Sequence, residues 1–147
     1  MKRRRGSGRF ICAIDTMTPI LGPRREALTL RLESKPGSTA TPVLAPRGGA
    51  SLAVMHKVMG KLFAIVSLGK AEYVILKCDP HLIEVLKETY AGIGHRSHLD
   101  RRNWISVDLD ADVPVDEIGR LVDQSYDLVC ATLTRKQRVE LAALLEA

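Results

Sequence analysis

No C-x-x-C pair occurs in the chain, and its three cysteines, Cys12, Cys78 and Cys130, are widely spaced. That arrangement signals neither a zinc knuckle nor a redox dithiol. Cys78 and Cys130 sit in apolar contexts (VILKC and DLVCA) and are expected to be buried, inert thiols. No nucleophile elbow of the G-x-S-x-G type, phosphate-binding loop or dinucleotide fingerprint is present. The four histidines, His56, His81, His95 and His98, show no ligand spacing. Asp108, Asp110 and Asp112 alternate as in a calcium loop, but a loop starting at Asp108 needs glycine sixth and glutamate twelfth. Those positions hold Val113 and Gly119. The expectation is a protein with no catalytic residues, no metal and no cofactor, and hence not an enzyme.

Long apolar runs are also missing. Nothing approaches the roughly 20 residues of a membrane-spanning helix. The opening MKRRRGSGRFICAID mimics a leader, but Asp15 cuts its apolar part short. A cytoplasmic protein is expected, without membrane contact.

With 147 residues, the chain is the size of one domain and can bury a core unaided. Its net charge of +5 is unevenly spread. Residues 1–50 hold ten Lys or Arg against three acids, whereas residues 51–147 hold twelve against fourteen. The excess basicity is therefore N-terminal, and the domain proper offers only local basic patches.

Residues 1–22 read as a basic, flexible tail, and 23–147 as a single domain. A helix is expected from Pro23 to about Ser34, ending at Pro36-Gly37. Residues 36–51 have no period and read as an irregular connection. SLAVMHKV, KLFAIVSL and AEYVILKC are strand-like runs separated by Met59-Gly60 and Gly69-Lys70. Alternation puts Leu52, Val54, Val58, Leu62, Val66, Leu68, Val74 and Leu76 on a core face. It puts Met55, Lys57, Phe63, Ile65, Tyr73, Ile75 and Lys77 on an amphipathic one.

Asp79 and Pro80 open a second helix, and IGHRSHLDRRNWISVDL forms a second hairpin turning near Asp100. ADVPVDEIGRLVDQSYDLVCATL reads as a long helix with Asp112 and Pro114 at its start, and Thr134 with Gln137 as a capping box for the last. The predicted class is α+β, with helices on one face of an antiparallel sheet of about five strands.

The stretch HLDRRNWISVDLD, residues 98–110, holds the only tryptophan beside two arginines. As a strand, it points Ile105 and Val107 to the core and Trp104 the other way, near Arg101 and Arg102. A tryptophan flanked by arginines can stack and contact phosphates. More often a tryptophan lies under a neighbouring helix or loop, here with the arginines solvated.

Residues 52–147 resemble the MmcQ/YjbR family through VMHKVMGKLFAIVSL, ILKCDPHLIEVLKETYAGI, HLDRRNWISVDLDADVPVDEIGRLVDQSYDLV and the basic turn TLTRKQR. The resemblance implies a CyaY-like α+β fold and a DNA-binding bacterial protein. It directs attention to His98, Leu99, Arg101 and Trp104, with Lys57, Lys61 and Lys77 in matching strand segments. The chain departs from the family after Pro36-Gly37. There STATPVLAPRGGAS replaces an acidic residue and a Pro-aromatic-Gly turn.

The functional expectation is a monomeric DNA-binding protein of low specificity. Arg101, Arg102, Trp104, His98, Lys57, Lys61 and Lys77 would form its nucleic-acid contact. The alternative is a module that takes a protein partner or small ligand on the amphipathic face of Phe63, Ile65, Tyr73 and Ile75.

Overall fold

The structure, a computed structural model, describes residues 23–44, 51–97 and 99–146. Helix α1 (Pro23–Glu33) precedes strands β1 (Ser38–Leu44), β2 (Ser51–Val58), β3 (Lys61–Ser67) and β4 (Tyr73–Lys77). Helix α2 (Pro80–Thr89), strands β5 (Ile93–Gly94) and β6 (Trp104–Asp108), and helices α3 (Val115–Cys130) and α4 (Arg135–Glu146) complete the order. The strands form a six-stranded antiparallel sheet in the order β1-β2-β3-β4-β6-β5. The expected α+β class, with its helices on one face, is the fold observed. The basic tail at 1–22 lies outside the described residues.

β1 is the strand that sequence periodicity does not reveal. Residues 38–44 pair with β2 from Ser38 opposite Val58 onward, inside the stretch expected to be an irregular connection. The sheet therefore has six strands rather than about five. The reason is its edge position: most of β1 is exposed, so no alternation of apolar residues is needed. Pro42, which cannot donate to a ladder, is tolerated on an edge.

Met59 and Gly60 turn β2 into β3 with φ of 50° and 82°. Both lie in the left-handed region, as a type I′ hairpin requires, and Gly60 takes that conformation without steric cost. Just before the turn the register slips. His56 opposes Ala64 while Lys57 opposes Leu62, which leaves Phe63 as the extra residue of a bulge. Strict alternation puts Phe63 with Ile65. The bulge instead turns its ring to the helix side, where it is fully buried and meets Tyr126 edge-on at 5.3 Å.

The core lies between that side of the sheet and the helices. Ala64, Val66, Val74, Leu76, Ile105 and Val107 pack with Leu28 and Leu32 of α1 and with Leu121, Val122 and Val129 of α3. Ser125 fastens α3 across two strands. Its hydroxyl donates to Phe63 O (2.6 Å) and accepts from Lys77 N (2.9 Å). Arg25, buried on α1, donates to Ser67 O and Gly69 O, capping the far end of β3. Cys78 is buried as expected, and burial pushes its thiol up to about 11, away from reactivity.

Two helix starts match their sequence signals. Asp79 accepts from His81 N (2.9 Å), and Thr134 and Gln137 bond reciprocally at 3.0 and 3.1 Å. The start of α3 differs from expectation. Pro114 occupies the N-cap without a side-chain cap bond, and Asp112 turns away to accept from Ala91 N and Gly92 N.

Candidate nucleic-acid interface

β2 ends, β3 begins, β4 ends and β6 begins at one edge of the sheet, and the sequence-predicted cations gather there. Lys57, Lys77 and Trp104 alternate with core-facing neighbours, so they occupy the face opposite the helices. Lys77 and Trp104 are direct cross-strand partners. From β2 to β6 is three strand spacings, roughly 14 Å. All three side chains are partly exposed. Trp104 thus lies neither in the core nor free in solvent.

Arg101 and Arg102 stand in the turn that leads into β6. Asp100 builds that turn: its carbonyl accepts from Asn103 N (3.1 Å) and Trp104 N (3.0 Å). Its carboxylate accepts from Arg102 N and from Asn103 Nδ2, both at 2.9 Å. The Arg102 amide, chiefly, holds the carboxyl below the ordinary range. A turn so fixed presents both arginine side chains outward, and Arg102 is 89% exposed. Its Nε lies 3.9 Å from Asp100, whereas Arg101 has no carboxylate partner among the described residues. His95 supports β6 from the side through Nδ1, 3.3 Å from Trp104 O.

Two expected members stand apart. Lys61 opposes Val58 and reaches to the helix side, where Nζ donates to Thr132 O at 2.7 Å. It serves the carbonyls after α3 rather than the face bearing Trp104. His98 lies outside the described residues.

The sequence reading missed Arg135 and Lys136. Gln137 Nε2 donates to Met59 O at 3.4 Å, which brings the start of α4 to the β2–β3 turn and thus to the same end. The TLTRKQR turn was a visible signal, but only the fold shows what it adjoins.

The opposite end is acidic and internally paired. Asp108 accepts from Arg96 Nε (3.1 Å), and the Arg96 guanidinium lies over the Tyr73 ring. Asp116 and Glu117 occupy the first turn of α3, where its dipole favours them. Among the described residues, no group of three or more His, Cys, Asp or Glu is placed to hold a metal ion. No described helix is long and apolar enough to cross a membrane.

The YjbR family model matches residues 33–128, about two-thirds of the chain. The chain belongs to the YjbR family. It is 33% identical over 93 residues to YjbR of Escherichia coli K12, covering 63% of this chain and 79% of that one. The same figures hold for YjbR of Escherichia coli O157:H7. A Deinococcus radiodurans protein with the domain DUF419 is similar in structure, with TM-score 0.68, 27% identity and coverage of 80% of this chain and 86% of the other. A Pseudomonas syringae protein shares the fold at TM-score 0.58 and 19% identity, over 71% and 97% of the two chains. The YjbR match stops before Arg135, so the basic start of α4 lies outside it.

Proposed function

We propose that this YjbR-family protein is a cytoplasmic, cofactor-free binder of duplex DNA that acts through the basic end of its sheet. The observation that carries the reading is the convergence of Lys57, Lys77, Arg101 and Arg102 around Trp104, the chain's single tryptophan. None of Lys57, Lys77 or Arg101 has a carboxylate partner among the described residues. Cations without internal partners are available to phosphates. Such contacts position a protein on a duplex without reading its sequence. Trp104 supplies a flat apolar surface at the same place.

The charge balance of the domain does not oppose this. Asp108, Asp110, Asp112, Asp116 and Glu117 lie toward the far end, and at the basic end the cations outnumber the acids, so an approaching duplex meets a local excess of positive charge. The alternative of an apolar docking face loses support. Phe63 is turned into the core, Ile75 is 5% exposed, and Tyr73 lies under Arg96. What remains on that face is the cross-strand pair of Met55 and Ile65, both only partly exposed.

The test is fluorescence anisotropy with a labelled duplex over a salt series. Arg101→Ala with Arg102→Ala should weaken binding and lower the slope of log affinity against log salt by about 0.9 for each phosphate no longer neutralised. Unchanged affinity and slope would sink the assignment of this turn.

A further inference from the structure

We infer that the start of α4 is the second half of the same anion-binding surface, with Arg135 and Lys136 contacting phosphates of the duplex that Arg101 and Arg102 engage. This rests on the DNA-binding reading above and extends it to residues outside the strands and the 100–103 turn.

Leu133 is buried at 4% exposure, and Gln137 ties the first turn of α4 to Met59 O. Lys61 ties the preceding connection to the start of β3 through Thr132 O. Arg135 and Lys136 are thus carried rigidly beside the β2–β3 turn, at the end where Lys57 and Lys77 emerge.

The cations here divide by task. Lys61 donates to Thr132 O and Arg138 donates to Ala131 O, each at 2.7 Å. Both satisfy carbonyls left open where α3 ends. Arg135 and Lys136 are exposed, and neither makes a side-chain hydrogen bond or ion pair among the described residues. The fold gives them no work.

The first turn of α4 carries no acid, although cations there face the positive pole of their own helix. Asp79 and Asp100, the carboxylates nearest the strand ends, are occupied by the amides of His81 and Arg102. Both keep their negative charge, and Asp127 on the last turns of α3 and Glu140, one turn beyond Lys136 on α4, are further exposed acids nearby. Lys57, Lys77, Arg101, Arg102, Arg135 and Lys136 outnumber these acids, and that excess favours a polyanion across both sides of the sheet end. A duplex, with a charge about every 1.7 Å along its axis, can satisfy cations on both sides at once.

The experiment uses the full chain and a labelled DNA duplex over a salt series. Arg135→Gln with Lys136→Gln should bind several-fold more weakly, with the log–log salt slope reduced by one to two units, about 0.9 for each phosphate no longer neutralised. Its melting temperature should be unchanged. Lys70→Gln with Lys87→Gln, remote from the basic end, should leave affinity and slope as they were. Arg135→Lys with Lys136→Arg should keep the wild-type slope. Loss of binding in that charge-retaining variant would indicate a structural role and overturn the inference. If the Arg135/Lys136 variant binds normally while the Arg101/Arg102 variant does not, the inference fails and the DNA-binding reading stands. If the wild-type chain shows no salt-dependent duplex binding, the reading fails and the inference falls with it.

Discussion

The two ends of the sheet use charge in opposite ways. At the end where β4 begins and β6 finishes, several carboxylates are consumed by the fold. Asp108 holds Arg96, Asp112 holds the amides of Ala91 and Gly92, and Glu72 lies 3.8 Å from Arg25. At the other end the cations mostly project. Lys61 and Arg138 alone cap carbonyls, while Lys57, Lys77, Arg101, Arg135 and Lys136 have no acid partner among the described residues. Charge that the fold consumes is explained by the fold. Charge that it leaves over is where function is to be sought, and a total of twelve bases against fourteen acids in residues 51–147 conceals that division.

The largest expected effect falls on the structure that keeps the basic end in shape. Phe63→Ala empties a fully buried site beside Tyr126 and His56, and should cost about 3–5 kcal/mol in denaturant unfolding. A loss no larger than that of Ile65→Ala, at a partly exposed position, would mean that the bulge does not turn Phe63 inward. Ser125→Ala should come next, at about 1–3 kcal/mol, because it orphans Lys77 N and Phe63 O beneath the lysines of the surface.

His56 gives the comparison a pH dependence. The ring is fully buried with neither nitrogen hydrogen-bonded, and burial, only partly offset by the Glu33 carboxylate, lowers its pKa below 6.5. The folded state therefore holds His56 neutral, while the unfolded chain takes up a proton as pH falls through 6.5. Stability should be fully present above that pH and should fall below it, by at most about 1.4 kcal/mol per pH unit for one proton. Unfolding of wild type and His56→Leu between pH 7 and 5 checks this. Parallel pH profiles would show that His56 titrates freely.

The smallest effect sharpens the comparison most. Asp110→Asn with Asp116→Asn neutralises two exposed acids at the far end. β4 alone puts five residues, roughly 16 Å, between the ends, beyond a Debye length of about 8 Å at physiological salt. Duplex affinity should therefore rise less than about twofold at that salt. A larger gain would mean that the acidic end opposes binding and that the two ends do not act separately.

Much of this was legible in the residues. The caps at Asp79 and at Thr134 with Gln137 are local chemistry, and they form where the residues place them. The alternation in β6 also correctly set Ile105 and Val107 against Trp104, because nothing interrupts its register. The misses have non-local causes. β1 is a strand because β2 pairs with it, not because its own residues alternate. Phe63 changed sides through a bulge that no spacing announces. Asp112 looked like a helix start but serves the turn after α2, twenty residues earlier in the chain. For the candidate site, the sequence and the family resemblance named the strand lysines and the arginine turn. That Lys61 leaves the group and that Arg135 and Lys136 adjoin it required the packing of α4.

The most direct test of the account separates the folded domain from the basic N-terminal residues without shortening the chain. Lys2, Arg3, Arg4, Arg5 and Arg9 are changed together to glutamine, and duplex binding is followed by anisotropy across a salt series beside wild type. The account predicts that the variant still binds and keeps most of the wild-type salt slope, and that adding Arg101→Ala and Arg102→Ala then weakens binding and lowers the slope by about 0.9 for each phosphate no longer neutralised. Loss of salt-dependent binding on neutralising the N-terminal cations alone would contradict it, and would move any affinity for DNA from the basic end of the sheet to the tail.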